Sequence, residues 1–273
     1  MKKRSTKKRR GAKLGQHLLT NAGIAEALVE AAEIKKDDAV LEIGPGGGIL
    51  TREILKTAAH VVAVEKDPAM VATLRELFKK EMKDGRLVIH EGDARELTPD
   101  TAFPEGRYKV AANIPYYITG ELMRMCLTAK NQPLSMTFLV QKEVAERIVG
   151  NPERSRGMRS KKESILSLSV KAYGEPKYIR TVSKGNFNPV PNVDSAILAV
   201  RNISRKNFKK VSEEMFFKVV KAGFAQKRKT LAGNLKKVFG PQVLDALVTS
   251  DLPEKIRAED VSLEKWFEII SKL

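Results

Sequence analysis

The tetrapeptide Asn113-Ile114-Pro115-Tyr116 combines residue types that can act together on a nucleobase. The exocyclic N6 nitrogen of adenine is a poor nucleophile because its lone pair is delocalised into the ring. Two acceptors, the Asn113 side-chain carbonyl and a nearby main-chain carbonyl, would hold the amino protons and localise that pair toward an electrophile. No strong general base is then required. Pro115 withholds a donor from the loop and stiffens it, and Tyr116 offers a ring against which an extruded base can stack. In isolation the same four residues are equally a surface turn. Their meaning depends on what stands at the equivalent positions upstream.

Three such positions offer glycine, acid and acid. The run Glu42-Ile43-Gly44-Pro45-Gly46-Gly47-Gly48 ends an apolar stretch, and its side-chain-free positions let the backbone approach a nucleotide-like ligand closely. It is not G-x-G-x-x-G, because Ile49 fills the last glycine position, and no Gly-Lys-Ser/Thr follows to make a P-loop. Hydride and phosphate chemistry lose support accordingly. Glu65, about twenty residues beyond Gly44, is placed to accept bonds from both hydroxyls of a ribose. Asp93, after Gly92, can bond the amino group of an adenine ring. The set suits adenosine attached to a phosphate-free tail such as methionine.

The segments carrying these residues alternate strand and helix. Ala39 to Ile43, Val61 to Glu65, Leu87 to His90, Tyr108 to Ala112 and Met136 to Val140 are apolar runs of strand length. Helical spacing marks Ile24 to Ala32, the stretch from Ile49, Pro68 to Met82, Gly120 to Leu127 and Lys142 to Val149. This rhythm implies an α/β fold, a parallel sheet covered by helices on both faces, with ligands at the carboxyl ends of the strands. Asn151 to Lys162 reads as a polar surface loop. Tyr178 to Val182 and Ser195 to Val200 read as two further strands enclosing the Pro-rich turn Phe187 to Pro191, where the Phe187 ring is expected to be presented rather than buried. From Ser212 the pattern is helical, so a small helical domain is expected beyond a boundary near Ser204.

Lys and Arg number 50 against 33 Asp and Glu, a formal net charge of +17, which makes a polyanion the default partner. The first thirteen residues carry eight of these cations, ahead of the first acid, Glu26, and read as a disordered basic tail. The tail lacks the interleaved apolar face of an amphipathic transit peptide. Between Arg201 and Lys237 a second concentration of cations is opposed only by Glu213 and Glu214 and reads as an RNA-facing surface. The single cysteine, Cys126, excludes an intramolecular disulfide, and with three histidines no metal site is expected. No apolar run approaches the ~18 residues of a membrane span, and no apolar stretch near the N-terminus suggests a signal peptide. A soluble, cytoplasmic protein is expected.

From Lys13 almost to the C-terminus, the chain resembles the small-subunit rRNA adenine dimethyltransferases, the KsgA family. Leu14-Gly15-Gln16-His17-Leu18-Leu19 is similar to the family's N-terminal motif, usually Gly-Gln-Asn-Phe-Leu, whose residues close over the cofactor. Leu41 to Gly46 matches its glycine loop, and Glu65, Asp93 and Asn113 fall on its cofactor-binding acids and catalytic asparagine. Phe187-Asn188-Pro189-Val190-Pro191-Asn192-Val193-Asp194-Ser195 looks like its substrate loop, in which the phenylalanine stacks on the target adenine. Phe224 to Leu231 and Arg257-Ala258-Glu259 resemble the signature of its C-terminal domain. His17 and Leu18 depart from the usual asparagine and phenylalanine, and Ile114 stands where leucine is commoner. Ser164 to Ser167 stand where Tyr-Gly usually precedes Leu168-Ser169-Val170.

The resemblance implies a Rossmann-like class I methyltransferase domain over 13–203, a helical RNA-binding domain over 204–273 and the basic tail over 1–12. It implies S-adenosylmethionine as cofactor, bound by Gln16, His17, Leu19, Glu42, Gly44, Gly46, Glu65, Asp93, Ala94 and Asn113. Catalysis would fall to Asn113, Pro115, Tyr116 and Phe187, and RNA contact to Arg205, Lys227, Arg228 and Lys229. The reaction implied is dimethylation at N6 of two adjacent adenines near the 3′ end of 16S-type rRNA, in the immature small ribosomal subunit, by a monomer. A 23S rRNA adenine methyltransferase is the nearest rival, against which the Gln226 to Leu231 segment argues. A binding factor that has lost catalysis is a second rival, against which Glu42, Glu65, Asp93, Asn113 and Tyr116 argue.

Overall fold

The apolar runs of the first two hundred or so residues assemble into one sheet. The computed structural model describes residues 17–96, 99–150 and 162–273; the expected basic tail, Gln16 and all but the last residue of the expected polar loop lie outside the described residues. In chain order the strands are β1 (Leu18–Leu19), β2 (Ala39–Ile43), β3 (His60–Glu65), β4 (Leu87–Glu91), β5 (Tyr108–Asn113), β6 (Ser135–Gln141), β7 (Glu175–Val182), β8 (Phe187–Asn188) and β9 (Ser195–Arg201). The helices are α1 (Ala22–Ala31), α2 (Ile49–Leu55), α3 (Pro68–Leu77), α4 (Lys79–Lys83), α5 (Pro99–Ala102), α6 (Thr119–Thr128), α7 (Lys142–Val149) and α8 (Ile165–Tyr173), followed by α9 (Glu213–Gly223), α10 (Leu231–Phe239), α11 (Val243–Thr249) and α12 (Leu263–Ser271).

The sheet order is β4-β3-β2-β5-β6-β9-β7. The first five of these strands pair in parallel, as the βαβ rhythm predicts, while β9 runs antiparallel to both β6 and β7. The two departing strands are joined by the Pro-rich loop instead of a crossover helix, and a short link of that kind suits antiparallel neighbours. Chain order reverses between β2 and β5, which opens the crevice where such sheets bind ligands. Along β2 the side chains alternate: Leu41 and Ile43 join one core cluster with Val110 and Phe138, and Val40 joins the other with Val61 and Ala63.

Two helices differ from the sequence pattern. The predicted helix over Pro68 to Met82 is broken at Phe78 (φ −115°, ψ 27°), whose ring is only 3% exposed; the turn directs that ring into the core. The helix α8 is not announced by its sequence, and a capping box between Ser164 and Ser167 starts it. The helices after β9 share the sheet's core instead of building their own. Tyr173 of α8 meets Phe208 at 4.9 Å, Phe216 stacks on Phe267 at 4.8 Å, and the fully buried Trp266 joins the cluster that contains Val110.

At the end of α9 the backbone of Gly223 lies against the Trp266 indole: an added Cβ would overlap its Cη2 and stand 3.0 Å from Leu231 Cδ1. Gly223→Ala should therefore lower stability by about 1–3 kcal/mol through overpacking. Urea unfolding would show it as a lower midpoint at unchanged slope, and an unchanged midpoint would mean that the indole moves aside freely.

Candidate active site at the sheet crevice

Gly44 and Gly46 turn the chain out of β2 with φ of 68° and 54°, left-handed values that glycine adopts without strain. At Gly46 a Cβ would also meet Leu18 Cδ2 at 2.6 Å. The Gly46 amide donates to Glu65 Oε2 at 3.0 Å, and the Asp67 amide donates to Glu65 Oε1 at 2.9 Å. Glu65 is thereby held at the end of β3 with about half of its roughly four acceptor positions still free.

Asn113 ends β5. Its Nδ2 donates to the main-chain carbonyl of His17 at 3.0 Å, which orients the amide and leaves Oδ1 as its acceptor. Pro115 (φ −56°) leads into a 3-10 turn over Tyr116–Ile118. The Tyr116 hydroxyl and the buried Ser195 Oγ, at the head of β9, are 2.8 Å apart. Burial raises the Tyr116 phenol above its ordinary value, with Ser195 opposing and Asp194 adding, so Tyr116 is a neutral ring and not a base.

The crevice has two lobes. One is lined by His17, Leu18, Gly44, Gly46, Glu65, Asn113, Ile114, Pro115 and Tyr116. The other shares Gly44, Glu65 and Pro115 and adds Ile43, Lys66, Asp93, Ala94, Arg95, Tyr117 and Ile118 among others. Asp93 accepts four bonds: Oδ1 from the Arg95 amide (3.0 Å) and Nε (2.9 Å), Oδ2 from Arg95 Nη2 (2.6 Å) and Lys66 Nζ (2.8 Å). Arg95, helped by Lys66, holds the Asp93 carboxyl well below the usual carboxylate range.

Three expected site residues stand elsewhere. Leu19 is buried in the core, and Leu18 lines the crevice in its place, because successive side chains of a strand alternate. Glu42 is fully buried beside Thr51, outside the crevice lining. Burial pushes its carboxyl up to about 8, with Thr51 opposing and Glu65 adding. The expectation of a presented Phe187 ring is overturned: the ring is 2% exposed, in the core cluster that contains Leu19, Val182 and Ile197. The cause is a pairing invisible in the sequence. Strands β1 and β8 pair antiparallel, with Leu18 opposite Asn188 and Leu19 opposite Phe187, and Thr20 and Asn21 both bond Asn186.

Sequence reasoning misses Leu18, Lys66, Arg95 and Ser195. Lys66 and Arg95 adjoin Glu65 and Asp93 in the chain, which is a signal of a kind; Leu18 and Ser195 fall within the N-terminal motif and the substrate loop, but the contact of Ser195 with Tyr116, 79 residues away, has no local signal. Among the described residues no cluster of His, Cys, Asp or Glu could hold a metal ion, and no helix is long and apolar enough to cross a membrane.

The expected RNA surface divides. Arg205 is engaged within the fold: its Nε donates to Glu213 at 2.5 Å and its Nη2 to the carbonyls of Thr128 and Ala129 at 3.2 and 2.8 Å. It fastens the start of the helical region to the end of α6. Lys227, Arg228 and Lys229 are exposed between α9 and α10, and Lys227 and Lys229 line a groove with Arg147 and Lys162. The charge of Lys229 pulls the Lys237 ammonium below its ordinary value, as expected where cations crowd without counter-charges.

The profile of the family described as ribosomal RNA adenine dimethylase matches residues 7–273. The chain is similar to "Ribosomal RNA small subunit methyltransferase A" of Dehalococcoides mccartyi, 38% identical over 257 residues that cover 93% of this chain and 84% of that protein. It is also similar to the protein of the same name from Fusobacterium nucleatum, 36% identical over 262 residues, 94% of this chain and 95% of the relative. Among solved structures it is similar to the 23S rRNA methyltransferase ErmE, with a TM-score of 0.74 and 25% identity over 94% of this chain and 99% of that one. A dimethyladenosine transferase from Plasmodium falciparum superposes with a TM-score of 0.72 and 25% identity, over 93% and 96%.

Phe187→Ala should behave as the loss of a core aromatic, destabilising the protein by about 3–5 kcal/mol; a melting temperature equal to wild type would return the ring to the surface. For Glu42 the sign follows from the raised value. Between its ordinary 4.5 and about 8 the folded protein holds a proton that the unfolded chain has released, so stability falls as pH rises through that window. Relative to wild type, Glu42→Gln should gain stability between pH 5 and 8, by at most ~1.4 kcal/mol per pH unit. Parallel stability–pH curves for the two proteins would contradict the buried, protonated carboxyl.

Proposed function

Because the chain belongs to the ribosomal RNA adenine dimethylase family, it is a methyltransferase that uses S-adenosylmethionine, and we propose that it dimethylates N6 of two adjacent adenines near the 3′ end of 16S-type rRNA in the immature small subunit. The observation that carries the reading is the Asn113 amide, whose Nδ2 is committed to His17 so that Oδ1 is the acceptor.

The residues present fit the cofactor. Gly44 and Gly46 allow close backbone approach, Glu65 keeps acceptors for a ribose, and Asp93 would accept from an adenine amino group by exchanging one of its bonds from Lys66 or Arg95. Among the described residues no Lys or Arg lines the first lobe, which suits a tail without phosphate. When bound, the cofactor supplies an electrophilic sulfonium methyl. Asn113 Oδ1 and a main-chain carbonyl of its loop would hold the two amino protons of the target adenine and localise the nitrogen lone pair. After one transfer a single N–H remains, and a single acceptor suffices to orient it for the second. Pro115 keeps the loop stiff, and Tyr116 supports the extruded base by stacking.

Residues 13–203 would carry cofactor binding and methyl transfer, and 204–273 the grip on RNA. The Lys227 to Lys229 loop is suited to phosphates, which position the RNA without reading its sequence, and the basic tail over 1–12 would add to that attraction. We read the protein as a monomer and place it in the cytoplasm. A 23S substrate is favoured by the likeness to ErmE, but the small-subunit relatives and the Gln226 to Leu231 run weigh against it.

Incubation of immature small subunits with labelled cofactor should yield dimethyladenine at two adjacent positions near the 3′ end of the RNA; label confined to large-subunit RNA would overturn the assignment. Asn113→Ala should slow single-turnover methylation by on the order of a hundredfold, the scale of removing one positioned hydrogen-bonding group at a reacting centre. Its calorimetric affinity for S-adenosylmethionine should change far less. A near-normal single-turnover rate would take Asn113 out of the chemistry.

A further inference from the structure

His17 belongs by its motif with the cofactor, yet its imidazole is engaged on the other side of the site. Its Nδ1 lies 2.7 Å from the Pro189 carbonyl in the substrate loop. A carbonyl only accepts, so Nδ1 carries the hydrogen. The imidazole and Tyr116 rings have centroids 5.6 Å apart and planes inclined at 31°. A base inserted between two rings needs about 7 Å, twice a van der Waals contact of ~3.5 Å, and this pair leaves less. Both rings line the first lobe, together with Asn113. Phe187, the other aromatic expected to touch the base, is in the core.

Resting on the reading of this crevice as an adenine methyltransferase site, we infer that the His17 imidazole is a displaceable occupant of the target-base position. It lies against Tyr116 while no base is present and leaves when an adenine enters, exchanging a ring contact for a base stack and giving up its bond to Pro189. The main-chain carbonyl of His17 keeps Asn113 oriented throughout, because that bond does not involve the imidazole. The consequence is a specificity device. An adenine within RNA arrives with phosphate contacts at Lys227, Arg228 and Lys229 that offset the displacement. A free adenine nucleotide has only its base to compete with the imidazole, and is rejected.

Adenosine monophosphate is the probe, titrated calorimetrically against the full-length protein in the presence of saturating S-adenosylhomocysteine. His17→Ala removes the ring and its tether and should bind the nucleotide threefold to tenfold more tightly than wild type, which is about 0.6 to 1.4 kcal/mol. The KM for RNA should fall in the same direction. His17→Phe keeps a ring over Tyr116 but lacks the bond to Pro189, and should fall between the two. A merely structural or cofactor-binding side chain predicts the opposite: nucleotide affinity unchanged or weakened in His17→Ala, with a lower melting temperature or weaker S-adenosylhomocysteine binding. Either result overturns the inference. If the functional reading itself fails, wild type makes no dimethyladenine in rRNA, an outcome that also removes the inference but is read from a separate assay.

Discussion

Leu18 and Leu19 pair with Asn188 and Phe187 across an antiparallel ribbon of two residues a side, and the reacting centre hangs on that short ladder. It joins the N-terminal segment to the loop between β7 and β9. With it come the His17 carbonyl that orients Asn113, the Leu18 side chain packed over Gly46, and the burial of Phe187. A ribbon this small is not stable by itself. It is held by Leu19 and Phe187 in the core below it, by the bonds of Thr20 and Asn21 to Asn186, and by the Asp194 carboxylate, which accepts from the Lys184 amide. One wall of the crevice is therefore set by a tertiary contact and its floor by the order of the parallel strands.

The carboxyl groups around the glycine loop show how environment divides residues of the same type. Glu65 receives two backbone amides, and Asp93 receives an Arg side chain and a Lys. Glu42 has only Thr51 to oppose its burial, which pushes it up to about 8. The first two are acceptors in contact with the crevice. The third is a buried, protonated group at the end of β2, where it packs instead of binding.

The positive charge divides as well. Arg201 pairs with Glu33 and Arg205 with Glu213, so both serve to fasten the helical region and the last strand to the body of the sheet. Lys227, Arg228 and Lys229 are exposed, and their field is strong enough at Lys229 to lower its neighbour Lys237. Net charge forecasts the class of partner, but the surface that meets it is narrower than the cationic run in the sequence.

The parallel half of the sheet, its helices and the positions of Gly44, Glu65, Asp93, Asn113 and Tyr116 are legible in the sequence, because each lies at the end of an apolar run whose period and length dictate a strand. Local patterns of that kind act over a few residues and survive any packing. The antiparallel placement of β7 and β9, the break at Phe78, the helix α8, the inward turn of Phe187 and the bonding of Arg205 within the fold are not legible there. The last two, like the orientation of Tyr116, depend on a partner distant in the chain: Phe187 on Leu19, Arg205 on Thr128 and Ala129, Tyr116 on Ser195. An aromatic between prolines reads as presented until a strand from the other end of the chain pairs beside it, and an arginine in a basic run reads as surface until carbonyls at a helix end claim its donors. The sequence by itself determined which groups stand at the crevice, since strand ends are set locally. Which way those groups face, and which of their neighbours are withdrawn into the core, was decided only by tertiary packing, where burial and unpaired backbone polar groups outweigh local preference.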